Sequence, residues 1–160
     1  MSTGQSMLSL GAILLLAFIS LNFNSTLLQT TTVETENKVY LTAFSLGDDL
    51  IEEIKQKAFD ERTIDFQAIN ANQLTFPCNP ETGEVWPNFD DMDDYNNFSK
   101  PVSLPHVEDY TVTSKVNYVN SAGQDISVQS YLKKVTITVT SKYLSSPLQM
   151  NFIFSLHSKN

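Results

Sequence analysis

Hydrophobic and polar positions fall into three regimes along the chain, and each predicts a different element. Met7 to Phe23, MLSLGAILLLAFISLNF, is an almost unbroken apolar run, and the first charged residue is Glu34. Its length is close to the ~20 apolar residues that a bilayer-spanning helix needs. From Asn24 to Phe59 there is no proline and only one glycine, Gly47, so the pattern predicts a single helix over residues 5–59. The β-branched run Thr30 to Val33 is its expected soft point. From Val39 onward Val39, Tyr40, Ala43, Phe44, Leu46, Leu50, Ile51, Ile54, Ala58 and Phe59 recur at intervals of three and four as one apolar stripe. Acidic and basic residues cover the other side, with Glu53 and Lys57 spaced as an acid-first ion pair. Such a helix would run ~80 Å at 1.5 Å per residue. Its first half is therefore expected to project, and its second half to need a partner surface.

That partner comes at the end of the chain, where the period changes to two. Residues 110–119, YTVTSKVNYV, place Tyr110, Val112, Val116 and Tyr118 on one face. Residues 134–141, KVTITVTS, do the same with Val135, Ile137 and Val139, and residues 148–156 with Leu148, Met150, Phe152, Phe154 and Leu156. Three strands joined by short turns make an antiparallel meander. Between helix and sheet, residues 60–109 hold five of the six prolines and read as irregular chain, within which, at this length, short strands or turns are expected at positions the sequence does not fix. The expected fold class is α+β: a long N-terminal helix with an apolar half, and an antiparallel sheet packed on its C-terminal half. The expected division is an apolar helix half over 1–33 and a globular head over 34–160, the latter comprising a helix end (34–59), a variable region (60–109) and a sheet (110–157).

Charge and composition narrow the function. With 10 basic against 18 acidic residues the net charge is -8, which repels phosphate backbones and excludes nucleic acid as an expected partner. One cysteine, Cys78, excludes an intramolecular disulfide, and with only His106 and His157 beside it the chain is poorly supplied for zinc. The first six residues, MSTGQS, lack the positive charge of a secretory signal, and no Ala-x-Ala-like site follows the apolar run. A retained helical anchor is the expectation. The small residues Ser9, Gly11, Ala12, Ala17 and Ser20 fit either close helix–helix contact or ordinary membrane-helix composition.

Candidate chemistry concentrates in residues 90–97, DDMDDYNN. Asp90, Asp91, Asp93 and Asp94 offer the hard oxygens that calcium takes in sixes to eights, although the spacing does not make an EF-hand loop. The competing reading is a solvated acidic loop whose aspartates cap turns. Cys78 lies in FPCNP without a neighbouring base, as a small apolar residue would. Trp86 is either an interface anchor or a cap on the core. No G-x-S-x-G, H-E-x-x-H or phosphate-cradling loop occurs, and no enzyme is expected.

The sequence resembles the type IV pilin-like family, in its pseudopilin and minor-pilin branch. The resemblance rests on Gly4 followed by Gln5-Ser6-Met7-Leu8, on the long helix, on SLGDDLIEEIKQKAFDE (residues 45–61), and on FDDMDDYNNF followed later by KKVTITVTS. It implies a short leader, residues 1–4, removed between Gly4 and Gln5. It also implies assembly through Met7, Leu8, Ser9, Leu10, Ile13, Leu14, Leu15, Leu16, Phe18, Ile19, Leu21 and Phe23. Where the family carries a glutamate five residues into the mature chain, this sequence has Ser9. Some pseudopilins bind calcium in their globular loops, which the resemblance extends to the acidic stretch. The implied function is a structural subunit of a filament or secretion pseudopilus. Its partners would be further copies or other pilin-like subunits, and its location the bacterial inner membrane, then an extracellular or periplasmic filament. The alternative is a membrane-anchored or secreted β-rich binding module that does not polymerise.

Overall fold

A computed structural model of the protein describes residues 3–64, 68–104 and 107–156. Pro105, His106 and His157, which entered the sequence reading, lie outside the described residues. One helix, α1, runs unbroken from Thr3 to Lys55. A short helix α2 (Glu61–Ile64) and two 3-10 turns, Ala71–Gln73 and Asp93–Tyr95, follow. Four strands complete the chain: β1 (Ser99–Leu104), β2 (Val107–Tyr118), β3 (Leu132–Ser141) and β4 (Leu148–Ser155). They form one antiparallel sheet in the order β1-β2-β3-β4. The chain separates into two compact units, Met1–Val39 and Tyr40–Asn160.

Among its described residues the first unit is helix alone, and the helix continues through Thr30 to Thr32. Thr26, Thr30, Thr31, Thr32 and Thr35 each turn their hydroxyl back to a backbone carbonyl one turn earlier, at 2.9–3.2 Å. Asn22 does the same to the Phe18 carbonyl at 2.9 Å. These bonds satisfy the side-chain donors within the helix, and the expected soft point is helical.

In the second unit the α1 stripe packs on the sheet through Ala43, Gly47, Leu50, Ile51 and Ile54, all buried. Gly47 makes the closest approach. A Cβ there would overlap the terminal methyl of Met150 on β4 and lie 3.4 and 3.6 Å from Val139 and Ile137 on β3. The inward rows of β2 and β3 meet the expected alternation: Tyr110, Val112, Val116 and Tyr118 are buried, as are Val135, Ile137 and Val139. Each fully buried isoleucine of this layer contributes roughly 1.5–3 kcal/mol of apolar transfer.

Three boundaries differ from the sequence reading. First, α1 ends at Lys55 rather than Phe59, because the backbone of Ala58 is taken by the acidic stretch. The Ala58 N–H donates to the Asp90 carbonyl and the Met92 N–H to the Ala58 carbonyl, both at 3.0 Å. Second, Tyr40 and Phe44 are about half exposed and lie off the packed stripe, which Gly47 joins instead. Third, strand β1 stands inside residues 60–109, where short strands or turns are expected without assigned positions. It is an edge strand, so Pro101, with no N–H to give, is tolerated within it.

Candidate functional site

The residues expected to assemble, from Met7 to Phe23, occupy the first unit and are exposed around the whole helix. Met7 and Leu8 are each 76 % exposed, and Leu10, Ile13, Leu14, Leu15, Leu16, Phe18, Ile19, Leu21 and Phe23 between 63 and 74 %. Ser9 is uncharged, and its hydroxyl donates back to the Gln5 carbonyl at 2.9 Å. Gly4 and Gln5 are the second and third residues of the described helix, and a Cβ on Gly4 or Gly11 would meet nothing within 4 Å. By length and composition this helix can cross a membrane, and none of its most apolar stretch is buried. Exposed apolar surface of this extent belongs in lipid or against other protein.

In the head, the acidic stretch is not a solvated loop. Asp91, Asp93 and Asp94 are at most 1 % exposed, and only Asp90 faces solvent. The four aspartates do not converge on one point; each buried one has a different task. Asp91 caps the 3-10 turn, accepting from the N–H groups of Asp93 and Asp94 at 2.6 and 3.3 Å. Its other oxygen is buried without a donor. Burial, and next the neighbouring Asp93, push its carboxyl up to about 8.

Asp93 reaches the core instead. Its carboxylate meets the ammonium of Lys133 at 2.7 Å, while Asp60 meets the same ammonium at 2.9 Å, and all three side chains are fully buried. Lys133 also donates to the Phe59 carbonyl at 2.6 Å and lies over the Phe59 and Tyr118 rings, 4.7 and 5.0 Å from their centroids. Asp60 is well supplied with donors: the N–H of Arg62, the N–H and hydroxyl of Thr75, and the Tyr118 hydroxyl, all at 2.8–3.2 Å. Burial alone would raise its pKa, but Lys133 and these hydrogen bonds outweigh burial and hold Asp60 below the usual carboxylate range. Asp93 has the weaker support of the Cys78 thiol, so burial dominates and lifts it to about 6 despite Lys133. The two carboxylates in turn overcome burial at Lys133 and raise its pKa. Cys78 is buried beside this cluster; burial and then Asp93 push its thiol upward, which leaves it unreactive.

Asp94 faces a third way, toward a turn built from Glu81 to Glu84. Glu84 N–H donates to the Glu81 carbonyl at 3.1 Å, and Gly83 stands at φ 101 in the third position of the turn, where a type II turn calls for glycine. One carboxylate oxygen from each of Glu81, Glu84 and Asp94 lies within 4.8 Å of the others. Burial and the Glu84 carboxylate raise Glu81 to about 7, and burial lifts Asp94 to about 6. Sequence reading included Asp94 and missed the two glutamates, which the E-T-G-E spacing of a glycine turn could have supplied.

Trp86 is half a core residue. Its indole N–H donates to Glu53 at 3.0 Å, its ring packs near Phe98, and Lys100 lies over it at 4.1 Å. Tyr95, fully buried, donates its hydroxyl to the same Glu53 oxygen at 2.8 Å. Glu53, expected to pair with Lys57, thus receives two aromatic donors, while Lys57 donates to the Phe89 carbonyl at 2.5 Å.

Two features define the chain at this level: an α+β head with a buried charge cluster, and a helix whose apolar half is fit to span a membrane. Comparison with protein-family models, with curated proteins and with solved structures finds no match.

Proposed function

We propose that the protein is a structural subunit of a pilin-like filament or pseudopilus, held in a membrane by the apolar part of α1 until it assembles. The observation that carries this reading is the uninterrupted α1. The helix whose residues 43–54 pack into the head is the same one whose residues 7–23 expose apolar side chains on every face. A tether to a membrane would tolerate a loop after the apolar run, whereas here every residue from Thr3 to Lys55 is helical. In assembly, helix packing replaces lipid around the apolar side chains, so transfer from membrane to filament exposes little of that surface to water. Partners are further copies or similar subunits, and the chain has a structural rather than a catalytic task. The position of Ser9 fits a subunit that does not rely on a buried glutamate to pair with a neighbour's amino terminus, as at a tip or an initiating position.

Electron microscopy of the chain expressed with a pilus or pseudopilus assembly system tests the reading, together with sequencing of its amino terminus. Helical fibres containing the protein, beginning at Gln5, are expected. Membrane-bound monomers that keep Met1 and never enter fibres would overturn it.

A further inference from the structure

Lys133 is a primary amine shut inside the head between two carboxylates. The side chains of Lys133, Asp60 and Asp93 are fully buried, and Nζ lies 2.9 Å from Asp60 Oδ2 and 2.7 Å from Asp93 Oδ1. The rings of Phe59 and Tyr118, with centroids 4.7 and 5.0 Å from Nζ, wall it off. The Phe59 carbonyl accepts from Nζ at 2.6 Å, and Phe59 directly precedes Asp60, so the amine is held against that carboxylate. An amine and a carboxyl kept in contact away from water are the reactants of an amide condensation. Independently of the filament reading, we propose that Lys133 and Asp60 condense to an isopeptide bond between Lys133 Nζ and Asp60 Cγ, with Asp93 as the acid–base catalyst.

The surroundings of the two carboxylates assign their roles. Asp60 Oδ1 accepts from the Arg62 N–H at 3.2 Å, the Thr75 N–H at 3.1 Å and the Thr75 hydroxyl at 3.0 Å. Three fixed donors on one oxygen stabilise the negative charge that a tetrahedral intermediate places there. Asp60 Oδ2 takes the Tyr118 hydroxyl at 2.8 Å as well as Lys133, which makes it the oxygen placed to leave. Among the described residues no backbone N–H donates to the Asp93 carboxylate, so it is suited to pass a proton rather than to hold an oxyanion. Burial lifts Asp93 to about 6, close to the neutral range in which proton transfer in both directions is most effective.

The step balances without any further reactant. Burial disfavours the charges, but the pairing of Lys133 with the two aspartates keeps Asp60 below and Lys133 above their ordinary values, so the resting state is ionised. Reaction proceeds through the small neutral fraction, in which one ammonium proton has moved to Asp60 Oδ2. The amine lone pair then forms the N–Cγ bond while the Cγ–Oδ1 π pair moves onto Oδ1 among its three donors. Asp93 takes a proton from the attached nitrogen and delivers it to the Oδ2 hydroxyl. As Oδ1 re-forms the carbonyl, the Cγ–Oδ2 bond breaks and Oδ2 leaves as water. Ammonium and carboxylate thus give amide and water, Asp93 is restored, and nothing is oxidised or reduced. Reactants fixed in contact have effective concentrations of about 10⁵–10⁸ M, which drives condensation where water is excluded. The ion pair and the bond are successive states of the same side chains, and the bond ties the chain just past α1 to β3.

Intact-mass measurement of the full chain, purified in mild detergent, incubated at neutral pH and then denatured, reads the bond directly. The expected mass is one water below that of the sequence counted from its observed amino terminus. After tryptic digestion, residues 58–62 and 116–134 should emerge as one branched peptide, because an acylated Lys133 is not cleaved. The branch separates the cross-link from cyclisation of a single aspartate, which loses the same water. Lys133→Met should carry the full mass. Asp93→Asn, compared in preparations whose Trp86 fluorescence reports a folded head, should form the bond at least ~100-fold more slowly. Full sequence mass in the folded wild type after prolonged incubation, a branch at Asp93 instead of Asp60, or an equal rate in folded Asp93→Asn would overturn the proposal.

Discussion

Replacing Lys133 by methionine tests whether the buried cluster is organised as described. Methionine fills a similar volume, so the change removes charge and hydrogen bonds with little cavity. The Lys133 ammonium has three acceptors, the Phe59 carbonyl, Asp60 and Asp93, and they do not lose equally. Asp60 keeps its donors from Arg62, Thr75 and Tyr118. Among the described residues Asp93 makes no other ion pair, and the Cys78 thiol is only a weak donor to it, so it bears most of the loss. Removing one partner of a buried pair costs about 3–5 kcal/mol. For a head of this size, at roughly 4 °C per kcal/mol, that is a fall of ~12–20 °C in Tm. The sign of the pH dependence follows from Asp93. Its folded pKa is already raised to about 6 and rises further without Lys133, so its protonated form is the stable one in the folded head. Stability of the variant therefore recovers as pH falls from 8 to 5, toward the unfolded-state value near ~3.9. Thermal unfolding of the detergent-solubilised chain, read by fluorescence of Trp86, the sole tryptophan, measures this. Adding Asp93→Asn to Lys133→Met should restore at least half the loss at pH 8. A loss below ~1 kcal/mol, or one equal at pH 5 and pH 8, would refute the reasoning.

Asp91 predicts a second pH effect, in wild-type protein with chelator present. Its folded pKa, raised to about 8, means that the folded state holds a proton that the unfolded state releases near ~3.9, so stability declines as pH rises between those values. Asp91→Asn should flatten that decline and gain at least ~1 kcal/mol at pH 8, read by urea midpoints across pH; an unchanged slope would place Asp91 in a wetter setting. At Gly47, leucine would collide with Met150, Val139 and Ile137 and should cost about 1–3 kcal/mol. Alanine there should stay within ~1 kcal/mol of wild type, since the Met150 methyl can swing aside and helix propensity improves by ~1 kcal/mol; equal midpoints for the two variants would argue against close approach. Ile137→Asp should unfold the head, because Ile137 is fully buried and an isolated charge there has no partner; retained Trp86 fluorescence and an unchanged thermal midpoint would refute that.

What could be read from the sequence followed periodicity. The apolar run, the α1 stripe and strands β2 to β4 are long enough for a period of 3.6 or 2 to declare itself, and each was found within a few residues. Strand β1 was hidden by Pro101 and Pro105, which punctuate like a loop unless the strand is known to lie on an edge. The helix end was hidden because Ala58 and Phe59 continue the stripe, and only pairing of the Ala58 backbone with Asp90 and Met92 stops the helix at Lys55. Lys133 is legible in the same alternation. It shares parity with Val135, Ile137 and Val139, which places it on the buried face, but a lysine at a strand start is ordinarily read as solvent-facing. Once Lys133 is inside, part of the acidic stretch has to follow it, and burial of Asp60 and Asp93 is the consequence. The E-T-G-E spacing marks Glu81 and Glu84 as the ends of one turn, but their convergence with Asp94 depends on a further chain reversal that no local pattern encodes.

The placement of polar groups explains what fixes α1 on the sheet. An apolar stripe against an apolar face is weakly specific along the helix axis, since a slide of one turn, about 5.4 Å, still pairs aliphatic with aliphatic. Three features of this head forbid such a slide. Gly47 fits under Met150 where the larger residues of the stripe would collide. Glu53 takes the Trp86 indole and the Tyr95 hydroxyl on one oxygen, and just past the helix end the Phe59 carbonyl and Asp60 take Lys133. A slide would break every one of these polar contacts, at roughly 1.5–3 kcal/mol for each hydrogen bond to a charged group, and would leave buried charges unpaired. The native arrangement gains much less from the same contacts, because desolvation offsets most of their strength. The polar cluster therefore acts mainly by penalising displaced packings.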